Sequence, residues 1–462
     1  MNAYTLAMTA CLMAAGALAD RFGRKRIFGM GIAAFGLSSL ACGFAPNAPV
    51  LIAARFIQGA SGAVMLACQI AVLSHQFRDG QERSRAFGWW GIVFGGGLGF
   101  GPLIGGLTVV ALSWEWVFLV HVVIAAMALG FARVGVVESS DPHALRIDLM
   151  GMVTLSLTVF SLVFLITRGA FPSADDPIGL GMAVIGLCSA VIFVVTELRV
   201  TRPMFDFAAF RNPTFSGALL GSTGMNFSFW PFVIYLPIYF QSGLGLGSVA
   251  AGSALLAYTL PTLIAPPFGE RLLLRRGPRF VIPLGLMTIG AGFLAMLLAT
   301  RLGHPNWIAM LPGCIITGTG LGVMNTPVTN TATASVPVER AGMASGMDMS
   351  ARMISLAINI ALMGFILTTG VASYLARTLP DAPPEATFRI IVDLISAGNL
   401  AASEAHGVSA SIARAALTDG IGRVMLYGAI CAWVLAAASF VVFGRISTSR
   451  LRRTSDEHRM LR

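Results

Sequence analysis

The stretch "GALADRFGRKR" (residues 16–26) decides how the rest of the chain is interpreted. It places five charged side chains within eleven residues, and the chain on either side is almost uncharged. Over all 462 residues only 11% are charged and 56% are hydrophobic, whereas a soluble domain has about 25% charged residues. A globular core could not enclose so many apolar side chains, so lipid is the expected solvent.

Apolar runs of about 20 residues, the length that crosses a bilayer, recur along the whole chain. The predicted spans, about thirteen by this length criterion, are residues 4–19, 27–45, 50–74, 86–111, 115–133, 149–167, 178–197, 214–240, 248–269, 280–299, 307–330, 344–371 and 420–444. We therefore predict an all-α polytopic membrane protein.

Basic residues are distributed unequally over the loops between these spans. One alternate set of loops contains basic clusters at 21–26, 78–85 and 271–279, and the basic tail 445–462 belongs to this set. By the positive-inside rule this set faces the cytoplasm. We therefore expect a multi-pass protein of the cell inner (plasma) membrane with a cytoplasmic C-terminus. The net charge of +10 then reflects topology and contact with anionic lipid, and we expect no nucleic-acid partner.

Counting back from a cytoplasmic C-terminus places Met1 outside, which is unusual for a chain without a signal sequence. A further span before residue 1 would remove this difficulty. The distribution of loop charges therefore favours a transmembrane topology whose first span is missing here. The predicted domains are an N-terminal bundle (1–134), two linking spans (135–212), a C-terminal bundle (213–444) with an outside loop (372–418), and a cytoplasmic basic tail (445–462). In that loop, "PDAPPEATFRIIVDLISAGNL" predicts an amphipathic helix that either lies in the membrane interface or belongs to a solvated tether.

The sequence offers no chemistry typical of an enzyme. All six cysteines lie inside apolar stretches, where thiols behave as small hydrophobic groups, so we expect neither a disulfide framework nor a metal site. No P-loop, HExxH or serine-elbow motif is present in the sequence. We therefore expect no cofactor, no ATP-driven transport and no enzymatic activity.

Topology alone does not explain the acidic residue in the opening stretch, because acidic side chains do little for orientation. Asp20 and Arg24 are four residues apart and can pair at a helix end, and Gly16 and Gly23 let the backbone turn or approach closely. The stretch resembles the loop between the second and third spans of the major facilitator superfamily. The resemblance implies a fold of two helical bundles, in which Asp20, Arg21 and Arg24 latch the two halves when the cytoplasmic side is closed.

A second motif is "GGGLGFGPLIGG" (95–106). Proline removes a helical hydrogen bond and bends the helix, and glycines every four residues form a smooth face for another helix. The motif therefore predicts a kinked, tightly packed helix that either moves or forms a static crossing. It resembles the motif that marks antiporters in the superfamily. The residues that carry this resemblance are Gly97, Gly101, Pro102, Gly105 and Gly106.

A third motif, "ARFIQGASGAVM" (54–65), places Arg55 a few residues inside a predicted span. A charge at the membrane centre costs about 2.5–3.5 kcal/mol on insertion scales, so such a residue usually has a function. Arg55 resembles the family's fourth-span arginine, which takes part in proton coupling. Alternatively, a position near the helix end lets Arg55 reach the outer headgroups.

Two stretches of the second half, 235–261 and 339–360, resemble the fourteen-span drug:proton antiporter branch of the superfamily. The stretch "GERLLLRRGPR" (269–279) is a degraded second copy of the opening loop, in which Leu274 replaces the aspartate. An internal repeat of this kind is expected for a transporter built from two related halves.

Asp348 is the best candidate for a proton-carrying group, since a carboxylate in the membrane can hold either a proton or a substrate. Arg352 follows one turn later on the same helical face. The two form either a switchable ion pair that lines the cavity or a permanently neutralised pair. Other carboxylates near span ends are expected at the membrane interface: Asp148, Glu197 and Glu270.

A wall of aromatic and amide side chains suits a cationic or amphiphilic substrate, because aromatic faces bind cations and adaptable surfaces accept many ligands. Alternatively, most of these aromatic residues pack or face lipid. The candidate cavity residues are Gln58, Asn226, Trp230, Tyr235 and Asn325.

Together these features predict a proton-coupled secondary transporter that exports small amphiphilic or drug-like compounds by antiport. Its expected partners are the transported small molecule, protons and the bilayer, and we expect a monomer. One alternative is an exporter of a single specific metabolite. Another is a truncated chain that no longer transports, which the missing first span favours.

Overall fold

The computed structural model describes residues 3–78, 80–140, 149–168, 176–200, 207–301, 306–379 and 384–460. These residues form helices joined by short connections and contain no β-strand. The first seven helices are α1 (Ala3–Phe22), α2 (Arg24–Gly43), α3 (Ala48–Gln76), α4 (Gly80–Ala111), α5 (Trp116–Gly135), α6 (Leu149–Arg168) and α7 (Pro177–Arg199). The others are α8 (Pro213–Asn226), α9 (Phe229–Ile238), α10 (Ser248–Thr259), α11 (Pro261–Ile264), α12 (Pro266–Arg276), α13 (Pro278–Thr300), α14 (Trp307–Ala334), α15 (Ala341–Thr378), α16 (Glu385–Ser396), α17 (Leu400–Glu404) and α18 (Ala410–Met460).

The prediction of an all-helical chain is confirmed, and each predicted span falls on helix. Among the described residues, eight helices are long and apolar enough to cross a membrane, or nine if the pair of segments Val249–Ile264 and Pro266–Arg276, bent by 43°, counts as one span. The predicted span 214–240 is divided between α8 and α9. The total of about thirteen spans therefore stays a prediction.

The helices pack in two groups. In the first, α3 packs against α1 and α2, and α5 packs against α2. In the second, α13, α14, α15, α8 and α18 surround a core that contains buried Phe232, Tyr258 and Phe293. Helix α4 lies between α3 and α5 in sequence but makes most of its contacts with α10, α11, α12 and α14. It therefore links the two groups.

The predicted outside loop contains α16, and its apolar face is covered by protein. Ile391, Val392 and Ile395 are buried in the core of the second group, because they recur at helical spacing on one side of α16. This helix is therefore neither a surface helix with an uncovered apolar face nor part of a solvated tether. At the other end of the loop, α18 continues to Met460, so residues 445–460 of the predicted tail are helical.

Several connections rich in arginine lie together at one end of the molecule, which we call the basic end. It comprises the α1–α2, α3–α4, α12–α13 and α14–α15 connections. Arg24 at the first of these donates a hydrogen bond to the carbonyl of Val338 at the last, with an N···O distance of 3.1 Å. The contacts that join the two helix groups at this end form the candidate gate described next.

Candidate functional site

The α1–α2 corner is held against the start of α15. The Asp20 carboxylate accepts hydrogen bonds from the backbone N–H groups of Gly342 at 3.1 Å and Met343 at 2.9 Å. Arg24 pairs with the same carboxylate at 2.7 Å. A carboxylate is favourable at this place because the first N–H groups of a helix have no partner within the helix and carry partial positive charge. Asp20 and Arg24 therefore join the two helix groups, and the latch role that their motif implied stays a prediction.

The other three predicted gate residues have different environments. A Cβ at Gly16 would lie 2.5 Å from the carbonyl oxygen of Gly342, so glycine allows α1 and α15 to touch. Gly23 has φ of 101°, a left-handed conformation that favours glycine, and it turns the chain from α1 into α2. The Arg21 guanidinium lies 5.3 Å from the ring centre of Phe22. Among the described residues, Arg21 forms no hydrogen bond or ion pair with the second group that would support a role in the latch.

A second contact at the basic end was missed by the sequence analysis and is centred on Glu270 of α12. Its carboxylate accepts hydrogen bonds from Ser84 of α4 at 2.6 Å and from Asn330 of α14 at 2.8 Å. Arg83 donates to the Asn330 side-chain oxygen at 2.6 Å and to Thr333 at 2.7 Å. Arg83 therefore reaches Glu270 through Asn330. This network ties α4 to α12 and α14.

The degraded repeat explains where this contact comes from. Gly277 after α12 has φ of 76° and corresponds to Gly23 after α1. Aligning these glycines sets Leu274 opposite Asp20 and Glu270 opposite Gly16. The acidic group of the second copy therefore lies one helical turn deeper than in the first copy, and this offset was the signal available in the sequence.

Three carboxylates were expected at the membrane interface, and the structure describes two of them. Glu270 is 2% exposed and Glu197 is 3% exposed, so both are enclosed by protein. The sequence placed them near span ends but could not show which neighbouring helices cover them. Asp148 lies outside the described residues.

The predicted pair of Asp348 and Arg352 is buried where α8, α14 and α15 meet. The Arg352 Nε lies 3.2 Å from the Asp348 Oδ2. Asp348 also accepts hydrogen bonds from Ser222 and, at 3.2 Å, from Thr329. Arg352 donates to Asn325 and Thr329, each at 2.7 Å. Five side chains from three helices thus form one polar cluster inside the second group.

Burial and complete pairing make this cluster an ordered unit. Asp348 is fully buried and Arg352 is 5% exposed, and a buried ion pair of this kind holds together only when hydrogen bonds satisfy both partners. A second set of polar contacts is centred on Asn359. Its side chain donates to the carbonyl of Asn226 at 2.9 Å and accepts from Tyr427 at 2.8 Å. Asn226 therefore belongs to the internal packing of this group.

Arg55 belongs to a separate cluster in the first group. It donates to Gln58 at 2.5 Å, and Gln58 donates to Ser39 at 2.6 Å. The guanidinium carbon lies 4.4 Å from the ring centre of Tyr4 and 5.6 Å from that of Phe118, distances suited to cation–π attraction. Neighbouring side chains thus engage Arg55. Within the described part of the chain, no hydrogen bond or ion pair joins it to Asp348.

An aromatic cluster lies between α4 and α9. The ring of Trp230 lies 5.8 Å from that of Phe94, which stacks on Trp90 at 5.4 Å. Trp230 is half-buried, so part of its surface remains available to a ligand. The other predicted cavity residues are buried and use polar atoms within the protein: Gln58, Asn226, Tyr235 and Asn325.

The predicted tight packing of the antiporter motif occurs at its first residue, and not at the glycines that repeat every four residues. A Cβ at Gly97, Gly101 or Gly105 would meet no atom within 4 Å. The close approach occurs earlier in α4, where a Cβ at Gly95 would lie 2.5 Å from the carbonyl oxygen of Thr262. The physical reason is that α4 contacts α11 and α12 towards the basic end and has open space beside it further along. The side chain of Pro102 and the surroundings of Gly106 lie outside the described set.

Comparison with known proteins identifies the family. The sequence profile of the Major Facilitator Superfamily matches residues 1–360. The chain belongs to the major facilitator superfamily. Solved structures agree with this fold: the human organic anion transporter MFSD10 has a TM-score of 0.58 at 13% identity over 95% of this chain and 82% of its own. The proton:xylose symporter XylE has a TM-score of 0.58 at 12% identity over 95% of this chain and 84% of its own.

Three relatives within the superfamily are similar over most of this chain. The puromycin resistance protein pur8 of Streptomyces alboniger is 32% identical over 94% of this chain and 82% of its own length. The multidrug resistance protein Stp of Mycobacterium tuberculosis is 30% identical over 84% and 72%, respectively. The quinolone resistance protein NorB of Staphylococcus aureus is 30% identical over 77% and 76%.

No metal centre is indicated by the described residues, which contain no group of three or more His, Cys, Asp or Glu side chains arranged to hold an ion.

Proposed function

We propose that this major facilitator protein is a secondary transporter that exports drug-like, amphiphilic compounds in exchange for protons. The names of its relatives, which refer to multidrug, puromycin and quinolone resistance, support this substrate class. The observation that carries the proton coupling is the buried Asp348–Arg352 pair with its hydroxyl and amide partners. A carboxylate in such a place can exchange a proton for another charge.

The proposed location is the cell inner membrane, with the basic end in the cytoplasm. The arginine-rich connections at this end support that orientation. The structure then corresponds to the conformation that is closed on the cytoplasmic side, because the Asp20 and Glu270 contacts both join the two helix groups there. Trp230 and the open face of α4 at Gly97 and Gly101 lie on the proposed substrate route.

Helix α15 provides the proposed link between proton and gate. It is continuous from Ala341 to Thr378 and carries Asp348 as well as the N–H groups that hold Asp20. Gly342 and Asp348 are six residues apart, which is about 9 Å along a helix. Protonation of Asp348 removes its attraction for Arg352 and loosens the junction of α8, α14 and α15. A shift of α15 that follows then changes the contact with Asp20.

The test is proton-driven efflux from vesicles that contain the full chain and an imposed pH gradient. Asp348→Asn keeps the size of the side chain and removes its charge, so the efflux of a cationic dye should lose its dependence on the gradient. The matched control is Asp419→Asn, because Asp419 pairs with Arg423 at 3.0 Å with the same four-residue spacing but is partly exposed. An unchanged pH profile in Asp348→Asn would remove Asp348 from the mechanism.

A further inference from the structure

A groove lies between α2 and α5 at the basic end. Its volume is about 410 Å³. The groove is lined by Lys25, Arg26, Gly29, Met30, Ala33, Leu129, Ala132, Arg133 and Glu138. Charged residues form one end of this lining and apolar residues form the rest, so the groove has the polarity of a lipid molecule.

Three cations at the rim, Lys25, Arg26 and Arg133, face a single described carboxylate of the lining, that of Glu138. Lys25 donates to the carbonyl of Arg133 at 2.7 Å, while Arg26 and Arg133 are exposed. Glu138 uses its two carboxylate oxygens to accept the backbone N–H groups of Lys25 at 3.0 Å and Arg26 at 3.1 Å. It therefore caps the start of α2. In the part of the chain that the structure describes, none of the three cations forms an ion pair with a carboxylate.

The floor of the groove continues along the helices away from the rim. On α2, Gly29, Met30 and Ala33 follow the cations at intervals of one helical turn and so lie on the same face. A Cβ at Gly29 would have only Leu129 as a neighbour, at 3.6 Å. From Arg26 to Ala33 the groove runs about 10 Å along α2. Small side chains thus leave an apolar channel beneath the cations.

We propose that this groove binds an anionic phospholipid of the inner leaflet. The phosphate lies among Lys25, Arg26 and Arg133, and the first part of an acyl chain lies over Gly29 and Ala33. A free phosphate would match the rim only, whereas a lipid also covers the apolar floor. A zwitterionic headgroup carries a cationic group that the positive rim repels, so a zwitterionic lipid binds less favourably. The assignment of the leaflet rests on the proposed orientation.

Lipid retention by the purified full-length chain tests this proposal. Native mass spectrometry should show retention of phosphatidylglycerol on the order of tenfold above phosphatidylcholine with the same acyl chains. The double variant Arg26→Ala/Arg133→Ala should lower the preference towards unity. The matched control, Arg275→Ala/Arg276→Ala, removes equal charge from the last turn of α12 and should keep the lipid preference. Equal retention of both lipids by the unmodified chain would overturn the proposal.

A variant without a charge change tests the apolar floor. Ala33→Phe fills the groove and should reduce phosphatidylglycerol retention while the rim stays intact, with the thermal unfolding midpoint as the check on folding. If inorganic phosphate at millimolar concentration displaces the lipid and Ala33→Phe has no effect, the groove is a site for free anions and the proposal is wrong. Retention is measured without transport, so this outcome is separate from a failure of the proposed export.

Discussion

The Asp20 and Glu270 contacts join the same two helix groups at the same end, but they do so with different chemistry. Asp20 pairs directly with Arg24 and also accepts two N–H groups at the start of α15. Glu270 accepts neutral donors, and its cation, Arg83, is reached only through Asn330. The first contact concentrates charge at one point, whereas the second distributes hydrogen bonds over three helices.

The two contacts also run in opposite directions between the helix groups. Asp20 lies in the last turn of α1, in the first group, and meets the start of α15. Glu270 lies in α12, which packs against α13 and α14 of the second group, and meets Ser84 near the start of α4. The degraded repeat thus lies at the same end of the molecule as the opening loop, but its acidic residue lies one helical turn earlier in the sequence. A repeat can therefore lose its motif residue and still join the same surfaces through an acidic residue in the neighbouring helical turn.

The largest effect is expected from Asp20→Ala. It leaves Arg24 buried without its carboxylate and removes the acceptor for two N–H groups of α15. Removing one partner of a buried pair costs about 3–5 kcal/mol, so the population that is open at the basic end should become dominant. The measurement is the distance distribution between spin labels at Arg78→Cys and Arg276→Cys, in a background without the native cysteines.

The control for this experiment is Asp419→Ala, which removes a carboxylate from a pair of the same spacing in α18. The labels should report an unchanged distance there. If Asp20→Ala gives the same distribution as the control, the Asp20 contact does not hold the basic end closed.

A smaller effect is expected from Glu270→Ala with the same labels. Hydrogen bonds to charged groups contribute about 1.5–3 kcal/mol, and Arg83 keeps its bonds to Asn330 and Thr333. In a double-mutant cycle, the coupling of Glu270 with Arg83 should be weaker than that of Asp20 with Arg24. Equal coupling energies would contradict the distinction between a direct and an indirect pair.

The smallest effect is expected from Leu274→Asp, which restores the aspartate of the repeat. Leu274 is 51% exposed, and its Cδ2 lies 4.0 Å from a Cβ placed on Gly80, the first residue of α4. A carboxylate here meets the positive end of α4 and should favour the closed form by about 0.3–1 kcal/mol. Leu274→Asn is the uncharged control of equal size. An effect shared by both variants would show that charge is not its cause.

Local spacing was enough to find part of the candidate site. Asp20 with Arg24 and Asp348 with Arg352 are pairs within one helical turn, so the sequence alone predicts that they can meet. Their other partners come from distant segments. Ser222 reaches Asp348 from α8, and Gly342 lies 322 residues from Asp20. No periodicity within one helix could reveal these contacts.

The wrong prediction for the antiporter motif has the same cause, because spacing within one helix does not show where a neighbouring helix approaches. Glycines at Gly97, Gly101 and Gly105 have the right spacing for a packing face, yet the neighbouring helix approaches at Gly95 instead. Their spacing shows that a close contact is allowed, and only the relative position of two helices decides whether it occurs.

The sequence by itself determined the all-helical class, the approximate positions of the helices and the family, because apolar runs in lipid must satisfy their backbone hydrogen bonds internally. The tertiary structure alone decided that Glu270 joins the two helix groups, that Arg55 and Asp348 occupy separate clusters, and that α16 is covered by the bundle. The physical reason is range: backbone hydrogen bonding acts within one helix, while charge pairing and side-chain packing depend on which helices become neighbours.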